Sequence, residues 1–258
     1  MSSSSAEGSA SRIRLIEELA ANSWPAYITQ MVDGWRLRYS PGVEARRSNS
    51  VLPVGTGHTE VPEARLALVE RFYDTRGLPP RYQLSPAAAP SDLDSLLAER
   101  GYVSEAPVDV QTAGIDDVLR GTGESSPGVR LTPVPDDAWL ALWTDLFQRG
   151  APAIAKERIL DRIAPTTGFV VLERNGGPVA VGYGVVERGW LGIFSMGTAA
   201  EARRQGAATA VLHALARWGA GLDATECYLQ VEAGNEAAHR LYERSGFRTL
   251  YTYHYRTA

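Results

Sequence analysis

The chain has 258 residues, of which 44% are hydrophobic and 22% are charged, with a formal net charge of −4 and one cysteine. These values are typical of one large or two small globular domains. They exclude a basic nucleic-acid surface and a disulfide framework. No apolar run approaches the length of a membrane span. We therefore expect a cytoplasmic protein whose partner is a small molecule or a peptide.

The first part of the chain divides into a polar tail and a folded region. Residues 1–11 are rich in serine, without the basic start and apolar core of a signal peptide, so we expect a disordered tail. Residues 12–113 form the first predicted domain. Its patterns predict helices at 12–21, 63–75 and 91–100 and strands at 26–40, 45–54, 81–85 and 102–111.

Residues 114–128 are predicted to be an exposed linker, because the run from Gly121 to Gly128 combines glycine, serine and proline. Residues 129–258 form the second predicted domain. Its patterns predict strands at 129–133, 169–173, 179–187, 190–196 and 226–232, helices at 135–147, 152–163, 205–218 and 236–245, and a closing strand.

The element order of the first domain echoes that of the second. The strand with Tyr82 and the helix that ends before Gly101 are similar to the strand with Tyr228 and the helix that ends before Gly246. We interpret this similarity as a degenerate internal repeat.

A helix start made of small residues follows the strand at 190–196. It contains, in order, Arg203, Arg204, Gln205, Gly206, Ala207 and Ala208. The first turn of a helix leaves backbone N–H groups without intrahelical acceptors and carries the positive end of the helix dipole. Small side chains there let a phosphate approach these groups. The stretch therefore predicts a pyrophosphate-binding site.

A second motif begins at Asn235, which is suited to cap the helix that precedes Gly246. The first pattern is Arg203-x-x-Gly206-x-Ala208, and the second is Asn235-x-x-Ala238-x-x-Leu241-Tyr242-x-x-x-Gly246-Phe247. In this order and after these strands, the two patterns resemble the GCN5-related N-acetyltransferases. The resemblance covers residues 129–256.

The resemblance implies a mixed α/β fold, in which a twisted mixed sheet is flanked by helices, present here as two similar domains. It also implies acetyl-CoA as the acyl donor. The strands at 191–198 and 226–232 are expected to splay apart, so that Met196, Gly197 and Thr198 pair with the pantetheine arm. No metal is expected, because the four histidines are scattered without ligand spacing.

The resemblance places the pyrophosphate on residues 203–208 and the general acid at Tyr242. A phenol there is suited to protonate the departing thiolate. Asn235 often contacts the cofactor in this family, although its role as an N-cap explains it equally well. Cys227 is predicted to share the apolar face of its strand with Leu229 and Val231, so it is interpreted as a buried side chain and not as a nucleophile.

The first domain is expected to bind no cofactor. Residues 52–60, its counterpart of the pyrophosphate motif, contain glycines but lack the Arg-x-x-Gly-x-Ala order. Ala98 stands where the second domain has Tyr242.

At the positions where familiar branches of the family carry the general base, this sequence has no acidic residue. Gly192 and Gln230 occupy the positions at which two of these branches carry a glutamate. Glu232 and Glu187 are candidate replacements, and a water relay or an amine that arrives uncharged would also serve.

Two rows of side chains could border the binding site of the acceptor amine, or could belong to the hydrophobic core. One row, predicted to share a face of its strand, is Trp190, Gly192, Phe194 and Met196, and the other, on the last strand, is Tyr251, Tyr253 and Tyr255. The function expected first is acetyl transfer to a primary amine of a small molecule. The alternatives are a protein or peptide N-acetyltransferase and a non-catalytic CoA-binding sensor, and the sequence leaves the oligomeric state open.

Overall fold

The computed structural model describes residues 2–55, 63–147 and 152–258, which form two compact units. The N-terminal unit comprises Met1–Asp109, Glu157–Arg162 and Tyr251–Ala258, and the C-terminal unit comprises Val110–Lys156 and Ile163–Leu250. These boundaries differ from the predicted domains, because two short segments of the second half belong to the N-terminal unit. Residues 148–151, between the helices predicted at 135–147 and 152–163, lie outside the described residues, as do most residues of the stretch 52–60.

The elements of the described chain follow one another in this order: α1 (Ser2–Ser23), β1 (Ile28–Val32), β2 (Trp35–Tyr39), β3 (Val51–Leu52), α2 (Glu63–Asp74), β4 (Arg81–Leu84), α3 (Leu93–Glu99), β5 (Val103–Gly114), α4 (Ile115–Thr122), β6 (Val129–Thr132), α5 (Asp137–Phe147), α6 (Pro152–Arg158), β7 (Thr166–Arg174), β8 (Gly177–Glu187), β9 (Trp190–Thr198), α7 (Ala207–Ala220), β10 (Glu226–Glu232), α8 (Glu236–Arg244) and β11 (Arg248–Thr257). The predicted mixed α/β class is confirmed. Among the described residues, no helix combines the length and apolarity that a membrane span requires.

Each unit contains the same sequence of strand pairings. In the N-terminal unit β1 and β2 are antiparallel, β2 and β3 are antiparallel, and β3 and β4 are parallel. In the C-terminal unit β7, β8, β9 and β10 repeat this series. The first hairpin of each series turns at two residues with positive φ, Asp33-Gly34 and Asn175-Gly176. This geometry is that of the tight turns preferred in hairpins.

The core of the N-terminal unit lies between its strands and the helices α2 and α3. Its buried residues include Trp35, Leu37, Val69 and Leu97. In the N-terminal unit β4 also pairs with β11, in antiparallel register from His254 opposite Leu84 onward. The closing strand of the chain therefore completes this unit.

The core of the C-terminal unit lies between α7 and one face of its strands. Val211, Leu212 and Leu215 of α7 are fully buried there, against β-strand residues such as Leu191 and Val170. The helix runs two residues later than predicted, from Ala207 to Ala220.

Two predictions near the N-terminus were wrong. The segment 1–11 was expected to be disordered, yet α1 begins at Ser2. A helix that has already formed extends without a new nucleation cost. The amphipathic helix beyond residue 11 therefore extends backwards into the serine-rich segment, although serine is a weak helix former. The segment 26–40 was predicted as one strand and is the hairpin of β1 and β2, because Asp33-Gly34 forms the turn.

The predicted linker at 114–128 was also wrong, because it contains the helix α4. Ile115 and Val118 are buried in the core of the C-terminal unit, and Leu119 packs against it. Their spacing is that of one helical stripe. The predicted strand at 45–54 is also shorter, because a 3-10 turn at Arg46–Ser48 precedes β3.

Candidate active site

The parallel pair β9 and β10 is only partly joined. Its registered residue pairs run from Trp190 opposite Glu226 to Ile193 opposite Leu229. Both strands continue beyond this point, β9 to Thr198 and β10 to Glu232. The ladder therefore ends inside both strands, next to the backbone that was expected to pair with a pantetheine arm.

A β-bulge lies in β9 just beyond the last pair. The register with β8 shifts between Val181 and Tyr183, and Ser195 has a φ of 49°. Ser195 accepts a hydrogen bond from Trp143 of α5, whose Nε1 lies 3.2 Å from Oγ. A bulge of this kind re-aims the side chains that follow it.

The bulge moves Met196 to the opposite face of the sheet from the one predicted. Phe194 stacks on Tyr183 with ring centroids 5.2 Å apart, whereas Met196 packs against the core below α7. The sulfur of Met196 lies next to Gly182, beside Val211. The predicted row of Trp190, Gly192, Phe194 and Met196 was therefore wrong in its last member.

An aromatic cluster covers the face of β7 to β10 that is opposite α7. Its rings contact one another in stacked or edge-on pairs, and its members are Trp139, Trp143, Phe169, Tyr183, Phe194 and Tyr228. All six side chains are buried. By contrast, Tyr251, Tyr253 and Tyr255 are buried in the N-terminal unit.

The loop between β9 and α7 provides an open surface at the helix start. Arg204 and Gly206 have positive φ values of 60° and 76°. A Cβ at Gly206 would meet no heavy atom within 4 Å, and α7 begins directly after it at Ala207. The next residue, Ala208, adds a single methyl group. Phosphate oxygens would therefore reach the backbone N–H groups of the first turn without obstruction.

Hydrogen bonds to backbone carbonyls hold this loop in place. Arg203 Nε donates to the Thr198 oxygen at 3.4 Å, and Arg174 Nη1 donates to the Gln205 oxygen at 3.1 Å. Gln205 Nε2 donates to the Glu201 oxygen at 2.7 Å. The loop thus combines fixed backbone with arginine charge, which suits a pyrophosphate. These residues fit the implied cofactor.

Tyr242 is buried at 7% exposure on α8. Its ring meets that of Phe247 edge-on, with centroids 5.8 Å apart. Burial raises the pKa of Tyr242 to about 12, because the ionised phenolate is poorly solvated there. The phenol therefore keeps its proton throughout the neutral range.

Asn235 caps α8, as predicted. Its Oδ1 accepts a hydrogen bond from the backbone N–H of Ala238 at 3.1 Å. This bond satisfies one of the orphan donors at the helix start. The side chain is exposed, and the cap alone accounts for its geometry.

The candidate bases differ in their surroundings. Glu232 is exposed at the end of β10, and Glu187 lies 3.7 Å from Arg188 Nε. At Gly192, the hydroxyl of Tyr228 lies 2.5 Å from the position that a Cβ would take. A glutamate at residue 192 would therefore displace Tyr228.

Cys227 is fully buried, and burial raises the pKa of its thiol, so a reactive thiolate is not formed there. Among the described residues, no three His, Cys, Asp or Glu side chains lie together in a way that would hold a metal ion.

Comparison with known proteins shows the family of the chain. The family profile described as "Probable histone acetyltransferase Rv0428c C-terminal" matches residues 10–256. A Bacillus subtilis (strain 168) protein described as "Uncharacterized N-acetyltransferase YobR" is 32% identical over 250 residues, which are 95% of this chain and 98% of that protein. The chain belongs to the GCN5-related N-acetyltransferase family.

Two further proteins relate to this acetyltransferase. The Mycobacterium tuberculosis (strain ATCC 25618 / H37Rv) protein described as "Probable histone acetyltransferase Rv0428c" is 29% identical over 243 residues, 92% of this chain and 70% of that protein. The fold resembles that of a GCN5-related N-acetyltransferase from Kribbella flavida, with a TM-score of 0.68, 17% identity and coverage of 96% and 95% of the two chains.

In this acetyltransferase the motif residues from 196 to 208 form one continuous stretch that leads from the open end of the ladder to the start of α7. Reasoning from the sequence missed Ser195 and Trp143. The bulge that brings them together depends on the register between β8 and β9, and the chain around Ser195 carries no local sign of it.

Proposed function

We propose that the protein transfers an acetyl group from acetyl-CoA to a primary amine of a small molecule. The observation that carries the proposal is the combination of a ladder that ends inside β9 and β10 with an open helix start at Gly206. The two lie at either end of one short segment of chain.

In this proposal the backbone of Met196, Gly197 and Thr198 binds the pantetheine arm, and residues 203–208 bind the pyrophosphate. Acetyl-CoA supplies an activated thioester. The arginine side chains of the loop add positive charge at its exposed edge. Asn235 contributes to cofactor binding in addition to capping α8.

Tyr242 acts as the general acid. A phenol with a pKa of about 12 stays protonated at neutral pH, so it has a proton to donate when a thiolate departs. The amine must reach the site uncharged, or lose its proton to water, Glu232 or Glu187.

We also propose that the N-terminal unit is a second, degenerate copy that binds no CoA. Its α2 begins with Glu63, which pairs with Arg100 and places a negative charge in the first turn. A carboxylate in this first turn opposes an anion, whereas α7 of the C-terminal unit follows the open residue Gly206.

The family profile and the relative from M. tuberculosis are described as probable histone acetyltransferases. A protein or peptide acceptor is therefore the second candidate. A third reading, a CoA-binding sensor without turnover, would leave Tyr242 without a role.

One assay separates the three readings. Release of free thiol from acetyl-CoA is measured with a panel of small primary amines and, in parallel, with histone-tail peptides. We expect turnover with at least one small amine. Turnover with peptides alone would favour the second reading, and tight acetyl-CoA binding without turnover on any acceptor would favour the sensor.

A further inference from the structure

Two tryptophans of α5 anchor the two sides of the bulge in β9. Trp143 Nε1 donates to Ser195 Oγ at 3.2 Å. Trp139 Nε1 donates to the carbonyl oxygen of Gly182 at 3.0 Å, and Gly182 is the β8 residue at the register shift. Each strand of the bulged pair is therefore bonded to a different indole N–H group of α5.

These donors are themselves rigid. Trp139 and Trp143 are fully buried, and their rings stack with centroids 5.4 Å apart and an interplanar angle of 25°. Aromatic packing of this kind holds the indole N–H groups in a single orientation. Ser195 is therefore bonded to a donor that cannot turn away.

The bond to Trp143 decides what the serine hydroxyl can do. An indole N–H is a donor only, so it occupies one lone pair of Ser195 Oγ and leaves the hydroxyl proton available for another acceptor. Ser195 is half-buried, and it lies two residues beyond Ile193, the last β9 residue paired with β10. The free proton is thus held beside the open end of the ladder.

We propose that Ser195 is a catalytic residue whose hydroxyl donates a hydrogen bond to the carbonyl oxygen of the acyl group, with Trp143 as its positioning residue. The proposal rests on the acetyl transfer proposed above. The amine nitrogen forms the new C–N bond while the carbonyl electron pair moves to oxygen, where the Ser195 proton stabilises the charge without being transferred. The electron pair then returns from oxygen to re-form the carbonyl as the C–S bond breaks. The thiolate takes a proton from Tyr242, the amine proton passes to solvent, and solvent returns a proton to Tyr242.

The strain at Ser195 supports a role beyond packing. A non-glycine residue at a φ of 49° is unfavourable unless the surroundings impose it. Glycine would fit this conformation without cost. The hydroxyl, and not the backbone geometry, is what serine adds at this position.

The test uses the full-length protein with acetyl-CoA labelled at the carbonyl carbon, and Ser195→Ala and Ser195→Gly as variants. Infrared difference spectra of the bound thioester report a hydrogen bond to its carbonyl directly, without turnover. We expect a lowered carbonyl stretching frequency in the wild type that returns toward the solution value in both variants. We also expect kcat to fall roughly 10²-fold, as for removal of one oxyanion donor, with little change in KM.

Trp143→Phe keeps the ring and removes only the N–H. We expect an intermediate spectrum and a decrease in kcat of about tenfold or less, since the hydroxyl remains but is no longer oriented. An unchanged carbonyl frequency in Ser195→Ala and Ser195→Gly would overturn the proposal, even if activity fell. If the wild type does not bind acetyl-CoA at all, the proposed function fails, and this inference fails with it.

Discussion

At the scale of single residues, Tyr242 carries the sharpest chemical expectation. Tyr242→Phe removes only the hydroxyl and preserves the ring contact with Phe247. We expect kcat to fall about 10²-fold, the lower end for general acid catalysis, because a thiolate is a fair leaving group unaided. The dissociation constant of acetyl-CoA, measured by calorimetry, should stay unchanged.

Tyr102→Phe is a matched control. Tyr102 is also buried, and its pKa is also raised to about 12, mainly by burial, but it lies in the N-terminal unit. Its variant should keep full activity. Wild-type turnover in Tyr242→Phe would show that the proton reaches sulfur by another route, whereas lost acetyl-CoA binding would make the hydroxyl a binding group.

Glu17 is a buried carboxylate of the N-terminal unit. Gln83 Nε2 donates to its Oε2 and the Tyr251 hydroxyl to its Oε1, each at 2.7 Å. The charges of Arg38 and Arg47 and these bonds lower its pKa, but burial outweighs them and raises it above the ordinary value of 4.5.

The raised pKa predicts how stability depends on pH. Between 4.5 and the pKa of folded Glu17, the native state binds more protons than the unfolded state, so the free energy of unfolding falls as pH rises. Glu17→Gln lacks this titration. Its stability relative to the wild type should therefore increase as the pH rises above 4.5, measured by denaturant unfolding.

Glu63→Gln is the control for this measurement. Arg100 lowers the pKa of Glu63. The contribution of Glu63 to the free energy of unfolding is therefore lost only below its ordinary pKa, as the pH falls through the pKa of the folded state. Relative to the wild type, its stability should be flat over the same range. A flat profile for Glu17→Gln as well would contradict the role assigned to burial at Glu17.

At the scale of elements, α4 offers a test of the corrected linker. A Cβ at Gly121 would lie 2.7 Å from Ser245 Cα and 2.8 Å from the oxygen of Arg244, both backbone atoms. Gly121→Ala should therefore lower the free energy of unfolding by about 1–3 kcal/mol, as overpacking does. Gly177→Ala, where a Cβ meets nothing within 4 Å, should be close to neutral. Equal stability of the two variants would mean that residues 114–128 behave as an exposed linker.

The elements that the sequence predicted well are those in which apolar residues recur with a regular helical or strand spacing. The strand β10 has the predicted bounds, and α2 differs from its prediction by one residue. The helix α4 was missed because its short apolar stripe is followed by Gly121 and Gly123, which dominate the local composition. In the β1–β2 hairpin, the Asp33-Gly34 turn signal was present in the sequence and was overlooked.

The candidate site divides in the same way. Gly206 and Tyr242 belong to local motifs, so the family resemblance carried by those motifs was enough to predict them as site residues. The bulge at Ser195, the reversed face of Met196 and the bond from Trp143 depend on pairing between separate strands and a helix. A one-residue change of register exchanges the faces of a strand, and nothing in the local sequence reports it.

At the scale of the whole molecule, the two units repeat one series of strand pairings but differ at the start of the helix that follows the third strand of the series. The C-terminal unit has open space at Gly206, whereas Glu63 begins α2 in the N-terminal unit. This asymmetry predicts one CoA site per chain.

Calorimetric titration of the intact chain with acetyl-CoA tests this account most directly. We expect one site in the wild type and none in folded Gly206→Glu, because the new carboxylate would occupy the phosphate position. Gly77→Glu is the matched control, since Gly77 also has a positive φ and open surroundings, and it should keep the site. Undiminished binding in Gly206→Glu, or two sites of similar affinity in the wild type, would contradict the account.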